Sequence, residues 1–374
     1  NCPHINSVIT MNVMIKLILS FLVATKAADI DIRFSKVEFV EYFPGLDSYL
    51  QLTSSYYPIT LETFNWLRFT TASSIVIPET CTDCDDISFE NLIELVGGVP
   101  SHPSRHSRDF WDELHHVVQI QLKRRAGVDP STIMPLPDLW INLSIEEVAE
   151  AVHDEFPGSH HVAWIQKEGK NLHVDTNIIP YVCEVEFIRS IVMLSSLNTW
   201  SIATVAPQNF GLKYYVGRAR PEEVVWQIAQ RYTGNGPTPT LVADIDQMNL
   251  TDAKSFTAYP EGSPTHPSWP AMHSAGSASS LWMAVVLDLT DEQWCQLKLL
   301  DYAVSYARIV AGVHYEGDHL AGLALGQEII ARRLPKYLNE VYGSSIEEVQ
   351  AKIEEKRFDW TTFLESDCVR YHMF

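Results

Sequence analysis

The sequence predicts a mainly α-helical protein, in which a helical bundle follows a mixed and partly irregular N-terminal layer. Apolar residues recur at helical spacing from about residue 105 onward, while strand patterns are short and few. Two Ser-Ile-Glu-Glu sequences, which begin at Ser144 and Ser345, have the form of a helix capping box. We therefore predict an N-terminal layer at residues 1–104 and a helical domain at residues 105–374.

The first helix is predicted between Ser107 and Arg125, where apolar residues occupy one face and Gly127 follows as a stop. Ser144 begins a second helix, which we expect Pro157 to close. Residues 183–204 are predicted to form an apolar core helix that ends before Pro207. Further helices are predicted from Pro221, after His273, and at about 296–312, 318–333 and 345 onward. Strand candidates are limited to 75–77 and 172–174, and residues 233–270, rich in Pro, Gly, Thr and Ser, predict a long irregular loop.

Charge and length exclude several classes of partner. The chain has 374 residues, with 27 basic and 47 acidic side chains and a formal net charge of -20, which argues against binding to nucleic acid or an anionic membrane. No apolar run reaches the roughly 20 residues that a membrane-spanning helix needs. Six cysteines are too few for a disulfide scaffold, and the apolar helical pattern around Cys295 predicts a buried thiol.

The start of the chain leaves two questions open. It begins at Asn1 without an initiator Met, so we expect that an upstream part has been removed or belongs to another, associated chain. Residues 11–28 contain one Lys, a short apolar run and small residues, as a secretory signal does, but we favour a buried helix or strand. A secreted or extracytoplasmic location is favoured, and a homo-oligomer is left open.

Three short segments carry the chemistry. They are Lys213–Pro221, Pro267–His273 and Ala307–Asp318, and together they contain one lysine, three arginines and two histidines. Fixed arginine forks and a lysine are what a multiply charged oxyanion needs, and histidines add proton transfer or a bond to its central atom. Taken singly, each charge would be read as a solvated or ion-paired surface group, but their joint spacing predicts an oxyanion site.

The segments resemble the signature shared by vanadium-dependent haloperoxidases and PAP2 acid phosphatases, over residues 182–336. That signature runs Lys-x6-Arg-Pro, then Pro-Ser-Gly-His, then Ser-Arg-x3-Gly-x-His-x3-Asp. The first segment fits throughout, and the third differs only in Ala307 for Ser. In the second, Ala271 and Met272 stand for Ser and Gly. The stretch from Tyr259 to His273 also resembles the algal bromoperoxidases, because His266 lies seven residues before His273.

The resemblance implies a helical bundle of the haloperoxidase type that binds vanadate and oxidises bromide or iodide with hydrogen peroxide. His314 would be the single protein ligand of vanadium, and His273 would take a proton from hydrogen peroxide, with His266 as a further catalytic group. Lys213 would hold the oxyanion and polarise the peroxide. The other groups implied to hold the cofactor are Arg220, the Met272 backbone N–H, Arg308 and, through His314, Asp318. A small organic acceptor would be halogenated.

Two alternatives stay open. In a PAP2-type phosphatase His314 would attack phosphorus, Asp318 would orient it and His273 would protonate the leaving alcohol. A non-catalytic, structural or anion-binding member of the family is the third reading, because Ala271 lacks the hydroxyl that would donate to an oxyanion, a loss of about 1.5 to 3 kcal/mol. Arg218 receives no role from the signature and is read as a solvated or ion-paired charge.

Overall fold

The computed structural model describes residues 102–153, 158–180, 192–231, 236–278 and 280–370. Within these ranges the protein is mainly helical, which confirms the predicted fold class. Its one β-pairing there is an antiparallel bridge between Val174 and Leu287, so the predicted strand at 172–174 is reduced to a single pair. The N-terminal layer, the stretch 11–28 and the strand at 75–77 lie outside the described residues and stay predictions.

The first helices begin at their predicted caps. Helix α1, Arg108–Arg125, starts where the Ser107 side chain accepts a hydrogen bond from the backbone N–H of Phe110. Helix α2, Ile145–Glu150, has a complete capping box at Ser144. It ends earlier than the predicted stop at Pro157, because the chain turns there and Val152 offers its carbonyl to a distant arginine. Helix α3, Ser159–Glu168, follows.

Helix α4, Val192–Val216, continues past Pro207, so the predicted end before that residue is wrong. A proline inside a helix removes one backbone hydrogen bond, but packing of α4 against later helices of the bundle supports the remaining turns. The extension has a functional result, since it carries Lys213 into the last turn of α4.

Pro221 lies in the first turn of helix α5, Pro221–Ala229, and Arg220 is its N-cap, as predicted. The expected irregular loop at 233–270 is partly helical: it contains helix α6, Pro239–Gln247, and a 3-10 turn, Lys254–Phe256. Helix α6 forms because the Thr238 side chain caps it and Leu241 and Ile245 are buried.

The single helix predicted after His273 is two helices, α7, Met272–Gly276, and α8, Ser280–Val286. The break is stabilised from a neighbouring helix, where the Asp301 carboxylate accepts the backbone N–H of Ser280 at 3.2 Å. The last helices are α9, Asp291–Val310, α10, Glu316–Tyr342, α11, Ile346–Lys356, and α12, Asp367–Arg370.

Helix α10 lies at the centre of the bundle and packs against α4, α7, α8, α9 and α11. Its approach to α7 depends on two glycines. A Cβ at Gly322 would lie 2.5 Å from the Ala271 oxygen, and one at Gly326 would lie 2.1 Å from the Ala275 oxygen. These two glycines therefore permit the close contact between α10 and α7. Helix α9 is buried on all sides from Gln296 to Val310, as expected of a core helix.

A disulfide joins Cys295 at the start of α9 to Cys368 in α12, across 73 residues of sequence. The prediction of a buried thiol at Cys295 is therefore wrong. The two Cα atoms lie 5.1 Å apart, a separation that permits a disulfide, and only the fold brings these positions together. Among the described helices, none has both the length and the apolar character needed to span a membrane, in agreement with the sequence.

Candidate active site

The three predicted segments meet at the centre of the bundle and are joined to one another by hydrogen bonds. Lys213 of the first segment donates to the second, and the Ala271 N–H of the second donates to the Asp318 carbonyl oxygen of the third at 2.9 Å. The first and third meet directly, since Arg220 Nη1 lies 2.8 Å from His314 Nε2. The ends of α4 and α9 and the starts of α5, α7 and α10 therefore form one site.

The contact between Arg220 and His314 determines the form of the imidazole. A guanidinium can only donate, so His314 Nε2 must accept and the proton must lie on Nδ1. His314 Nδ1 then donates to Asp318 Oδ2 at 3.0 Å. Burial, and next the charge of Arg220, lower the pKa of His314 well below its usual value. The imidazole is neutral at neutral pH, with its Nε2 lone pair directed toward the cations.

Lys213 is fully buried, and the described groups that accept hydrogen bonds from its ammonium are neutral. Its ammonium donates to the carbonyl oxygens of Pro267 at 3.0 Å and Ser268 at 2.8 Å. In the described part of the chain no carboxylate lies within ion-pair distance of it. Burial, followed by the charge of Arg220, lowers the pKa of Lys213 well below its usual value. An anion that enters the site would therefore stabilise the charged form of Lys213.

Arg308 has the same kind of environment. It is 2% exposed, and Nη1 donates to the Val152 carbonyl at 3.1 Å and to the Tyr259 hydroxyl at 2.7 Å. Its Nε is buried without a hydrogen-bond partner, and none of the described carboxylates pairs with this guanidinium. A buried donor without an acceptor is rare in folded proteins and costs free energy. Arg308 is thus a second cation that the described residues leave uncompensated.

His273 lies beside these cations and is partly exposed. Burial, then the charges of Arg308 and Lys213, lower its pKa well below the usual value, so the ring is neutral. No described residue forms a hydrogen bond with it. A neutral imidazole with both nitrogens available can accept a proton from a bound molecule.

The middle segment accommodates its departures from the signature. Ala271 is the N-cap of α7 with a φ of -69°, and Met272 is the first helical residue. Among the described non-glycine residues, positive φ occurs only at Arg231 and Asn249. Met272 therefore adopts its backbone conformation without strain, and its N–H lies in the first turn of α7. His266 also belongs to the site, because its Nδ1 lies 3.0 Å from Arg220 Nη2.

Asp318 and Arg218 form a buried ion pair next to His314. Arg218 Nη1 donates to Asp318 Oδ1 at 2.7 Å. Burial opposes ionisation of Asp318, but Arg218 and the hydrogen bond from His314 outweigh it and hold its pKa below the usual range. Asp318 is therefore a carboxylate that orients His314. The reading of Arg218 as ion-paired is correct, although the pair is buried at the site.

Sequence reasoning missed two neighbours of the cations. Tyr259 accepts a hydrogen bond from Arg308, and the His153 ring stacks on Tyr259 with a centroid distance of 3.9 Å. His153 contacts Glu150 and Glu261 and lies close enough to His273 to lower the pKa of His273. Tyr259 begins the bromoperoxidase-like stretch that ends at His273, so the sequence could have indicated it as a site residue. His153 has no local signal.

Residues 194–337 match the sequence profile of the PAP2 superfamily. The match contains the Lys, Arg and His residues of all three segments and leaves out Val152 and the first helices. It supports the superfamily level of the resemblance, that of phosphatases and haloperoxidases, whose members are generally enzymes. A search of curated proteins found no match.

Proposed function

We propose that this site binds a tetrahedral oxyanion and, with vanadate as cofactor, oxidises bromide or iodide with hydrogen peroxide. The observation that carries the proposal is the state of Lys213 and Arg308. Both are buried, and in the described residues both meet only neutral acceptors. Removing an uncompensated cation from water costs several kcal/mol by rough estimate, which an anion between the cations would offset.

The donor set fits vanadate or phosphate. Lys213 and the guanidiniums of Arg220 and Arg308 supply positive charge and N–H groups for the oxygen atoms of the anion. The buried Nε–H of Arg308, which has no described acceptor, can donate one further hydrogen bond. His314 Nε2 would hold the central atom, because Asp318 fixes the proton on Nδ1. Vanadate, when bound, would act as a Lewis acid that makes hydrogen peroxide reactive toward halide.

His273 would provide the base. Its neutral ring would take a proton from hydrogen peroxide and return it to an oxygen later in the cycle. The nearby cations favour this role in the first step, because they keep the ring unprotonated in the resting protein. They also make the protonated ring acidic, so the proton is released readily. Lys213 would polarise the oxygen that halide attacks.

The position of His266 favours the peroxidase over the phosphatase. This histidine belongs to the stretch that resembles algal bromoperoxidases, and it contacts Arg220 inside the site. Phe210 packs edge-on against its ring at 5.1 Å, which gives the site an apolar side suited to a halide or an organic acceptor. Chloride is a poorer substrate in this proposal, because Ala271 provides no hydroxyl to activate the oxyanion further.

A phosphatase is the second candidate, and the His314–Asp318 pair favours it. A neutral imidazole with its proton held on Nδ1 has a lone pair on Nε2 that could attack phosphorus. The P–O bond to the alcohol would break, His273 would protonate the departing oxygen, and water would later release phosphate. The same cations would stabilise the transition state.

The decisive experiment adds orthovanadate to metal-free protein and measures peroxide-dependent bromination beside hydrolysis of a phosphomonoester. We expect bromination that requires vanadate and disappears in His314→Ala. His115→Ala is the matched control, because His115 also contacts an aspartate, Asp244 at 2.6 Å, but away from the site. Hydrolysis of the phosphomonoester without vanadate would instead identify the protein as a phosphatase. Neither activity, together with no binding of vanadate or phosphate, would favour the non-catalytic reading.

A disulfide between Cys295 and Cys368 supports an oxidising, extracytoplasmic location for this activity. Halogenation by a released hypohalous acid would take place there on a small organic acceptor.

A further inference from the structure

We infer that Arg218, held in place by Glu113, is a positioning residue that fixes Asp318 and, through it, the imidazole of His314. The inference rests on the proposed function, since it concerns how the same site is ordered. The family signature gives Arg218 no role, and Glu113 lies in α1, outside the matched residues 194–337. We refer to Glu113, Arg218 and Asp318 together as the carboxylate bridge.

Arg218 is held on three sides. One guanidinium nitrogen donates to Asp318 Oδ1 at 2.7 Å and the other to Glu113 Oε2 at 2.5 Å. The guanidinium carbon lies 3.9 Å from the centre of the Tyr315 ring, and the side chain is 3% exposed. A planar fork fixed at both ends and stacked on a ring has little freedom to rotate. Its contact to Asp318 is therefore directional.

The second link is the Asp318 carboxylate, whose two oxygens have different partners. Oδ1 accepts from Arg218, while Oδ2 accepts from the Tyr315 backbone N–H and from His314 Nδ1, both at 3.0 Å. If Arg218 were absent, Oδ1 would have no described donor and the carboxylate could turn about its Cβ–Cγ bond. The His314 Nδ1–H would then lose a fixed acceptor, and the imidazole would no longer be held in one orientation.

Glu113 completes the arrangement from another helix. Its Oε1 accepts the Gly317 backbone N–H in the first turn of α10 at 2.7 Å, and its Oε2 accepts from Arg218. Glu113 thus ties α1 both to Arg218 and to the turn that contains Asp318. Because it supplies the second negative charge, Arg218 is held between two carboxylates and does not move toward the anion site.

The positioning role makes a claim that simple structural support does not: Arg220 sets which nitrogen of His314 carries the proton, and the bridge holds that Nδ1–H on Asp318. We would measure this by 15N NMR of the histidine side chains in the anion-free protein, and measure orthovanadate affinity by calorimetry. In the wild type we expect one His314 form, with the proton on Nδ1 and donated to Asp318. In Arg218→Met the proton stays on Nδ1, but we expect a mixture of forms with and without the hydrogen bond to Asp318, which differ in the Nδ1 chemical shift. We also expect an affinity about tenfold weaker, which corresponds to about 1.4 kcal/mol.

Other variants keep the test decisive if Arg218→Met does not fold. Glu113→Gln combined with Arg218→Met removes one charge of each sign, and the same mixture of His314 forms is expected. Arg218→Lys retains a cation beside Asp318 and should recover most of the affinity. Arg231→Met is the control, because Arg231 pairs with Asp246 at 2.7 Å and no described hydrogen bond of either residue reaches the three segments. It should alter neither measurement.

The outcomes separate this inference from the proposed function. A folded Arg218 variant with one His314 form and an affinity within twofold of the wild type would overturn the inference. So would an Arg218→Lys protein as impaired as Arg218→Met. Failure of the wild type to bind orthovanadate would instead count against the proposed function, while the NMR comparison would still test the bridge.

Discussion

Two buried arginines beside the same imidazoles, Arg308 and Arg218, have opposite electrostatic surroundings. Arg218 lies between the carboxylates of Asp318 and Glu113. Arg308 meets a carbonyl and a hydroxyl and pairs with no described carboxylate, although the Nε of each arginine is buried without a partner among the described residues. Burial alone is therefore no sign of function in this site. The chemistry of the partners distinguishes an arginine that needs an external anion from one that orders its neighbours.

The largest expected effect concerns folding. Arg218→Met leaves Asp318 and Glu113 buried with no cation between them, so we expect the free energy of unfolding to fall by about 3–5 kcal/mol. Arg308→Met removes a buried charge that has no carboxylate partner among the described residues, so the free energy of unfolding should not fall and should rise by up to several kcal/mol. Urea unfolding without added anion measures both. Equal losses in the two variants would contradict the contrast between the arginines.

The second prediction compares how two carboxyl groups, Glu223 and Asp318, make stability depend on pH. Glu223 caps the Arg220 backbone, and burial raises its pKa from 4.5 to about 7. The folded protein thus keeps this proton to about pH 7, whereas the unfolded chain loses it near 4.5. The stabilisation is complete below pH 4.5 and is lost as the pH rises to about 7. Compared with Glu223→Gln, the wild type should lose about 3 kcal/mol over this interval.

Urea unfolding of both proteins at several pH values measures that difference. Parallel stability curves would show that Glu223 titrates normally. Asp318→Asn provides the opposite case, because the pKa of Asp318 is lowered, so its contribution is present at neutral pH and is lost in acid.

The third expected effect concerns anion binding at the Arg308 side. Sulfate at a hundred times its Kd should stabilise the wild type by about 2.7 kcal/mol, and Lys213→Met should lose most of this gain. Because the pKa of Lys213 is lowered, sulfate affinity should decrease as the pH rises through that pKa and the amine becomes neutral. Calorimetry between pH 5 and 9 tests this, since sulfate itself does not titrate there. A sulfate affinity with the same size and pH dependence in the wild type and Lys213→Met would exclude Lys213 as an anion contact.

The smallest expected effect concerns the contact between α7 and α10. A Cβ in Gly322→Ala would press against the Ala271 oxygen and the Ser274 Cβ, and a loss of about 1–3 kcal/mol is expected. Anion affinity should also fall, because the hydrogen bond from Ala271 to Asp318 crosses this contact. Gly127→Ala, at a φ of +67° with open space around it, is the control. It should cost about 1–2 kcal/mol without altering affinity.

Features encoded in a few neighbouring residues were predicted well. The caps at Ser107 and Ser144 begin their helices, because the side chain and the backbone N–H groups that it caps lie within one turn. His314 directly precedes the N-cap of α10 and Asp318 lies in its first turn, so their short spacing brings them together, and the signature anticipated their proximity. The second segment, Pro267–His273, lies beside the other two segments, as the signature predicted.

The errors have a common cause in contacts between distant residues. Helix α4 continues through Pro207 because neighbouring helices support it, and Cys295 forms a disulfide with a residue 73 positions away. The carboxyl group that caps α8 comes from Asp301 on another helix. Glu113 and Val152 reach the site from segments without any motif. No local pattern in a single sequence specifies such pairs.

Hydrogen bonds from residues outside 194–337 show that an intact site needs a longer stretch of chain than the matched region. A fragment trimmed to residues 194–337 would keep every residue of the signature, yet its Arg308 would lack the Val152 carbonyl and its Arg218 would lack Glu113. In such a fragment Arg218 would keep Asp318 as its carboxylate partner but would lose the second carboxylate that holds it. Engineering or transplanting this centre therefore requires α1 and the turn after α2 as well as the recognisable signature.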